Sequence, residues 1–233
     1  MVLTGTIVNG LAIIVASLIG LLVRNIPEQM KTTIMQALAL AVVVLGIGMT
    51  LKSEQFLIVI GSLVLGGIIG EKLDLEGGLN RLGAWIETKV GTKENGSVAK
   101  GFVTATLIYV VGAMAILGAL DSGLRGDHSV LFTKSMLDGF SAIIFTSTLG
   151  IGVIFSAIPV ILYQGGIALL ATQINQFVPE VLMNTFITEM TATGGVMIVA
   201  IGLNILGMIH IRVANLLPSI LVVAGLVTAL YLI

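Results

Sequence analysis

Long apolar runs separated by short polar breaks dominate this chain. A membrane-spanning helix needs about 20 mostly apolar residues. Runs of that kind occupy roughly 3–23, 32–50, 55–71, 100–120, 137–156, 159–176, 190–209 and 213–232. The pattern predicts an all-α polytopic membrane protein with about eight transmembrane helices. No charge divides the fifth run from the sixth. One helix over 137–176 would be about 60 Å long, against a hydrocarbon core of about 30 Å. The chain must turn there, and "SAIP" with Pro159 is the expected place. The first run, "MVLTGTIVNGLAIIVASLIGLLVRN", lacks the basic start and small-residue cleavage site of a signal peptide, so it reads as a retained first span.

One polar interval stands apart, residues 72–99. Leu75, Leu79, Leu82, Ile86 and Val90 recur at helical spacing, with Lys72, Arg81, Glu87 and Lys89 among them and Trp85 as an interface residue. This spacing predicts an amphipathic helix on the membrane surface, followed by the loop "TKENGS". It serves as a surface connector or, alternatively, as a docking face. The chain then divides into 1–71 (three spans), 72–99 (interfacial helix and loop), 100–157 (two spans) and 158–233 (three spans).

Composition narrows the picture. Hydrophobic residues make up 57% of the chain and charged residues 10%, where a soluble domain carries about 25% charge. The excess of apolar residues calls for lipid as solvent. The net charge of −1 gives no signature of nucleic-acid binding. With no cysteine, disulfides, thiolate metal sites and thiol catalysis are excluded. Arg24, Lys31, Lys72, Arg81, Lys89, Lys93, Lys100 and Arg212 fall on one side of the predicted topology, and Lys52, Arg125 and Lys134 on the other. The first side is expected to be cytoplasmic, which puts the N-terminus outside.

The two ends of the chain resemble each other. "IVNGLAII" aligns with "LYQGGIAL", pairing Asn9 with Gln164 and Gly10 with Gly165. "IPE" (Ile26, Pro27, Glu28) aligns with "VPE" (Val178, Pro179, Glu180). "VVVLGIGMT" aligns with "VMIVAIGLN", pairing Gly48 with Gly202 and Thr50 with Asn204, and Gln36 falls near Glu189. An odd number of spans separates the copies, so the second is inverted in the membrane. Inverted repeats with a central site are common in secondary transporters; a duplication kept only for packing is the alternative.

Polar groups at membrane depth are costly and mark interiors or pathways. Asp121 reads as the polar end of the fourth span. Asp138, Ser141 and Thr148 share a helical face, and a stripe of that kind lines a path or joins helices by hydrogen bonds. Lys134 lies one turn before Asp138. Paired with it, Asp138 would be structural and near the surface; unpaired, it is a candidate ligand. Glu189 sits among Thr188, Thr191 and Thr193, ahead of Gly194 and Gly195. Glycines weaken a helix, so a broken helix with a cavity is expected here, the alternative being a hydrated cap of a helix starting near 190. Asn9, Gln164 and Gln36 are neutral candidates for the same cavity. Gly66 and Gly70 form a GxxxG pair suited to close helix packing or dimerisation. Gly112, Gly118, Gly150 and Gly152 offer the same between internal spans.

Catalytic patterns are missing. His128 and His210 lack metal-ligand spacing, and no phosphate-binding loop is present. No enzyme activity and no cofactor are expected. The segments "VGAMAILGAL", "LDGFSAIIFTSTLGIGVIFSAIPVILYQG" and "TEMTATGGVMIVAIGLN" resemble the YdfK/YqgA family of bacterial membrane proteins, over essentially the full chain. That resemblance implies a multispan protein of the bacterial plasma membrane and supplies no substrate or catalytic residues. The expected function is a homodimeric secondary transporter or channel-like protein for an ion or small polar solute. The alternative is a non-transporting scaffold or accessory subunit, and after it an intramembrane enzyme.

Overall fold

Apolar runs become helices in this protein, and glycines and polar turns decide where they stop. The structure, a computed structural model, describes residues 1–23, 27–90 and 97–232, without the side chains of Glu28, Lys31, Ile86, Glu87, Lys89, Val90 and Ser97. The predicted loop 92–97, Lys93, Arg24 and the repeat residue Ile26 therefore fall wholly or largely outside the described residues.

The helices are α1 (Thr4–Leu22), α2 (Glu28–Thr50), α3 (Phe56–Leu73), α4 (Leu75–Val90), α5 (Ser97–Val110), α6 (Ala113–Leu124), α7 (Ser129–Leu149), α8 (Ala157–Leu169), α9 (Ala171–Phe177), α10 (Glu180–Ile205) and α11 (Ser219–Tyr231). Short 3₁₀ turns, Ile151–Ser156 and Val213–Leu216, lead into α8 and α11. Among the described residues, six helical segments are long and apolar enough to cross a membrane, and α5 with α6 adds a seventh if that pair, bent by 61°, is one crossing. Large apolar side chains such as Val44, Leu57, Leu162 and Leu221 face outward, while Asn9, Ser62, Lys134, Asp138, Gln164 and Glu189 are buried. This inside-out distribution is what a lipid solvent selects, because polar groups must find partners within the protein.

Several expected boundaries move. The fifth run does not span 137–156: α7 starts at Ser129 and ends at Leu149, and it is not among the six apolar segments. The turn before the sixth run falls at Gly150, not at Pro159. Gly150 has φ +86°, a left-handed conformation open to glycine at little cost. Pro159 instead sits in the first turn of α8, where its missing N–H is harmless. Gly112, with φ +146°, plays the corresponding part at the α5–α6 bend. The seventh run starts at Glu180, ten positions before the expected 190, and α10 continues unbroken through Gly194 and Gly195 to Ile205. The expected broken helix is absent, and Gly195 serves packing instead.

The chain forms two compact units, Met1–Pro27 with Asn80–Phe177, and Glu28–Leu79 with Val178–Ile233. Each draws on both predicted halves. In the first, α1 runs parallel to α7, since Gly5 faces Leu131, Asn9 meets Asp138 and Gly20 faces Ile143. α1 runs antiparallel to α8, with Gly10 against Ile161 and Thr6 against Gly165. α5 begins beside the C-terminal end of α7, with Val98 against Gly152, and α6 lies beside its N-terminal end, with Gly118 against Leu131. The bent pair therefore traverses the length of α7. Asp127 accepts from the Ser129 hydroxyl at 2.6 Å and its N–H at 2.9 Å at the start of α7. The hydroxyl bond first, then the backbone bond, hold its carboxyl below the usual range, so this cap stays charged at neutral pH.

In the second unit α2 and α10 are antiparallel: Gly202 packs on Ala39 and Val43, and Gly195 on Gly46 and Thr50. A Cβ on Gly195 would lie 2.6 Å from the Thr50 backbone N and 2.7 Å from the Gly46 carbonyl O. Gly195→Ala is therefore expected to force these helices apart and cost about 1–3 kcal/mol of stability. Gly48→Ala, on the same helix pair, meets open space, and should be neutral or stabilising by up to about 1 kcal/mol. Thermal unfolding of the two variants in one detergent reads the difference. α3 and α11 are antiparallel too, with Gly66 against Ser219 and Gly70 against Asn215. The GxxxG pair is thus spent on packing within the chain.

Polar groups lock the end of α3. Asp74 adopts φ +48° as its C-cap. Arg212 donates to Glu71 Oε1 and the Asn215 amide to Glu71 Oε2, both at 2.6 Å. Asn215 in turn accepts from the Glu76 N–H at 2.8 Å, and Glu76 accepts from the Ala214 N–H at 3.1 Å. This puts Arg212 beside Lys72, on one end of the unit as the charge pattern expected. On α4, Leu82 and Trp85 are exposed, 42% and 59% respectively, as suits a helix lying in the headgroup region. Trp85 is the only tryptophan. Its emission should be quenched more by lipids labelled near the headgroup than by lipids labelled at mid-chain, and the reverse order would place α4 elsewhere.

Candidate functional site

Two buried acids define two different sites. The first is on α7 in the first unit. Leu131, Lys134, Ser135, Asp138, Ala142 and Phe145 recur at helical spacing and are all buried. This face includes two charges because each neutralises the other. Lys134 Nζ lies 2.8 Å from Asp138 Oδ2 and 2.9 Å from Oδ1. The two residues are only 7% and 6% exposed. A buried pair with good geometry recovers part of its desolvation cost, whereas either charge alone would not. Asp138 is thus paired yet buried midway along its helix, so the expectation that pairing would place it near the surface is corrected.

Asn9 on α1 and Gln164 on α8, both fully buried, complete the cluster. The Asn9 amide nitrogen donates to Asp138 Oδ2 at 3.0 Å and to Gln164 Oε1 at 3.3 Å. The carboxylate accepts only, so it fixes which way the Asn9 amide points. Asn9 then presents N–H groups to Gln164, which must answer with its oxygen. The remaining atoms of the two amides, Asn9 Oδ1 and Gln164 Nε2, are buried with no partner among the described residues, and so is the Thr6 hydroxyl one turn before Asn9. Buried polar atoms without partners are rare, and each calls for an explanation.

Ser141 donates to the Asp138 carbonyl at 3.0 Å or to the Tyr109 hydroxyl at 3.3 Å. The Tyr109 ring lies 6.0 Å below the Lys134 ammonium, within cation–π range, and packs on Phe145. Sequence reasoning missed Tyr109 and Thr6. A lone tyrosine in the apolar fourth span and a threonine one turn from Asn9 were the available signals. Thr148 is not part of this cluster: its hydroxyl bonds back to Ile144 and Phe145 carbonyls of its own helix.

The second acid is Glu189, fully buried in α10 of the second unit. It accepts from the Ser53 hydroxyl at 2.6 Å and from the backbone N–H groups of Glu54 and Gln55, each at 2.9 Å. Those groups lie just ahead of α3, whose dipole favours an anion. Glu189 is a long-range anchor for the turn between α2 and α3. The alternatives of an open cavity and of a hydrated cap on its own helix both give way to this one. Residues 51–55 join α2 and α3, two helices long and apolar enough to cross a membrane, so Glu189 lies level with their connecting turn and not with their middles. Thr191 and Thr193 nearby have buried hydroxyls without partners, while Thr188 is half-buried. Gln36, which the repeat placed near Glu189, is exposed on α2. Asn204 closes the turn after α10, bonding both the carbonyl and the N–H of Ile211.

Residues 4–228 match the family model described as "Protein of unknown function (DUF554)". The chain is 34% identical over 223 residues to the "Uncharacterized membrane protein YdfK" of Bacillus subtilis (strain 168), covering 94% of this chain and 93% of the relative. It is 30% identical over 230 residues to the "Uncharacterized protein YqgA" of Escherichia coli (strain K12), covering 97% and 96%. No solved structure matches the chain.

Proposed function

We propose that this chain, which belongs to the DUF554 family, is a small secondary transporter or channel-like protein for an ion or small polar solute. The observation that carries this reading is the Lys134–Asp138 pair with Asn9 and Gln164, buried midway along α7. Charges and amides in such a place are a standing cost that function justifies more readily than packing does. Under this reading the protein is not an enzyme, sits in the bacterial inner membrane with its N-terminus outside, and acts as a homodimer.

The helix directions support an inverted-repeat architecture, and its eight crossings would count α7 beside the six apolar segments and the bent α5–α6 pair. In the alignment of the two ends, α1 corresponds to α8, α2 to α10 and the region of α3 to that of α11. Within its own unit each of these pairs packs antiparallel, as inverted copies would. Asn9 and Gln164 are aligned residues and bond each other, so the polar cluster lies at the α1–α8 contact of the first unit. Alternating access between inverted halves would then expose this cluster to each side in turn.

The test is flux in proteoliposomes with a panel of inorganic ions, small cations and anions, and amino acids. Asp138→Asn should abolish the flux that wild type supports, and Glu189→Gln should retain it. Wild-type flux no greater than that of empty liposomes for every solute would favour the second reading, a scaffold or accessory subunit. The exposed apolar residues of α4 are the observation that speaks for it.

A further inference from the structure

The charge balance of the first site restricts what it can accept. Lys134 and Asp138 neutralise each other, and among the described residues no other charged group is in hydrogen-bonding contact with them. A lone cation taken by Asp138 would strand the Lys134 ammonium, and a lone anion taken by Lys134 would strand the carboxylate. Stranding one member of a buried pair is costly. A solute carrying both charges escapes this penalty, because one ion pair is exchanged for two. The two side chains are one helical turn apart on α7, so a solute with its charges a few bonds apart can engage both.

The unpartnered atoms fit the same class. Asn9 Oδ1 is a free acceptor and Gln164 Nε2 a free donor, both fully buried, and the orientation of both amides is fixed through Asp138. Their positions on α1 and α8 give the site an acceptor and a donor besides its two charges. Resting on the transport reading above, we propose that this site binds a small zwitterionic solute, with Asp138 receiving its cationic end, Lys134 its anionic end, and Asn9 Oδ1 and Gln164 Nε2 completing the polar contacts. The solute replaces the internal ion pair during transport, and the pair re-forms when the site is empty. The empty carrier is therefore neutral at this point and can reorient without a bound ion.

The test compares zwitterions with their halves. Proteoliposomes are assayed for uptake of labelled glycine, L-alanine, L-serine and glycine betaine, and in parallel for methylammonium, acetate, sodium and potassium. The expected result is uptake of at least one zwitterion well above empty liposomes and of none of the singly charged species. Lys134→Met and Asp138→Asn should each lower that uptake by at least about 100-fold. Because either single variant can fail to fold, Lys134→Met/Asp138→Leu is made as well. It removes both charges together, should melt close to wild type, and should not transport. Uptake of methylammonium or a metal cation, lost in Asp138→Asn but kept in Lys134→Met, would overturn the zwitterion proposal and leave the transport reading standing. A folded double-neutral variant that still carries the zwitterion would also overturn it. No uptake of any species would remove both.

Discussion

Glu189→Ala will melt well below the wild-type protein while leaving any transport by the folded fraction intact. The carboxylate accepts three hydrogen bonds from Ser53, Glu54 and Gln55, and it is fully buried. Bonds to a charged acceptor are worth about 1.5–3 kcal/mol each, and their sum is reduced because all three share one anchor. A loss of about 3 kcal/mol follows, or roughly 6–12 °C in Tm for a domain of this size. Glu189→Gln keeps one acceptor oxygen for the N–H groups at the start of α3 and should lose only about 1 kcal/mol. The order Ala below Gln below wild type, with flux per folded protein within a few-fold, is the signature of a structural anchor. A Glu189→Gln protein that melts like wild type but carries nothing would return this acid to the transport pathway.

The sequence misplaced this acid for a physical reason. Hydropathy locates a span only by its apolar stretch, and "VLMNTFITEMTATGG" is too polar to count. α10 nevertheless extends over it, because the α2–α3 loop supplies the partners that make Glu189 bearable. Partners 134 to 136 positions away leave no trace in local spacing. The same blindness moved the fifth span. Lys134 and Asp138 lower the hydropathy of α7, and their mutual bond makes both charges bearable inside a helix that starts at Ser129. By contrast, α1, α3 and α11 carry no such load, and their runs mark them within a few residues. Asn9 could be aligned with Gln164 because "IVNGLAII" and "LYQGGIAL" hold an amide at the same position. That the two amides touch depended on the antiparallel packing of α1 and α8, which no single segment encodes.

Lys134→Met should be among the most damaging single substitutions in the first unit. It leaves Asp138 buried with Asn9 as its remaining side-chain partner, and losing one member of a buried pair costs about 3–5 kcal/mol. Asp138→Asn should cost less, about 2–3 kcal/mol: the new amide can still accept a bond, but the Lys134 ammonium loses its counter-charge. If the two residues act only through each other, removing both must cost less than the sum. Lys134→Met/Asp138→Leu fills the same volume with apolar atoms and leaves Asn9 bonded to Gln164. Its cost should fall to about 1 kcal/mol, giving a coupling energy of several kcal/mol in a double-mutant cycle whose single variants are Lys134→Met and Asp138→Leu. Thermal unfolding of the four proteins in one detergent measures it. Additive losses would mean that the charges are stabilised by something other than each other, and the case for a self-neutralised site would fail with them. A large coupling together with a stable, inactive double variant separates the two roles of the pair: the fold tolerates the absence of both charges, so their presence at the middle of α7 answers to a solute.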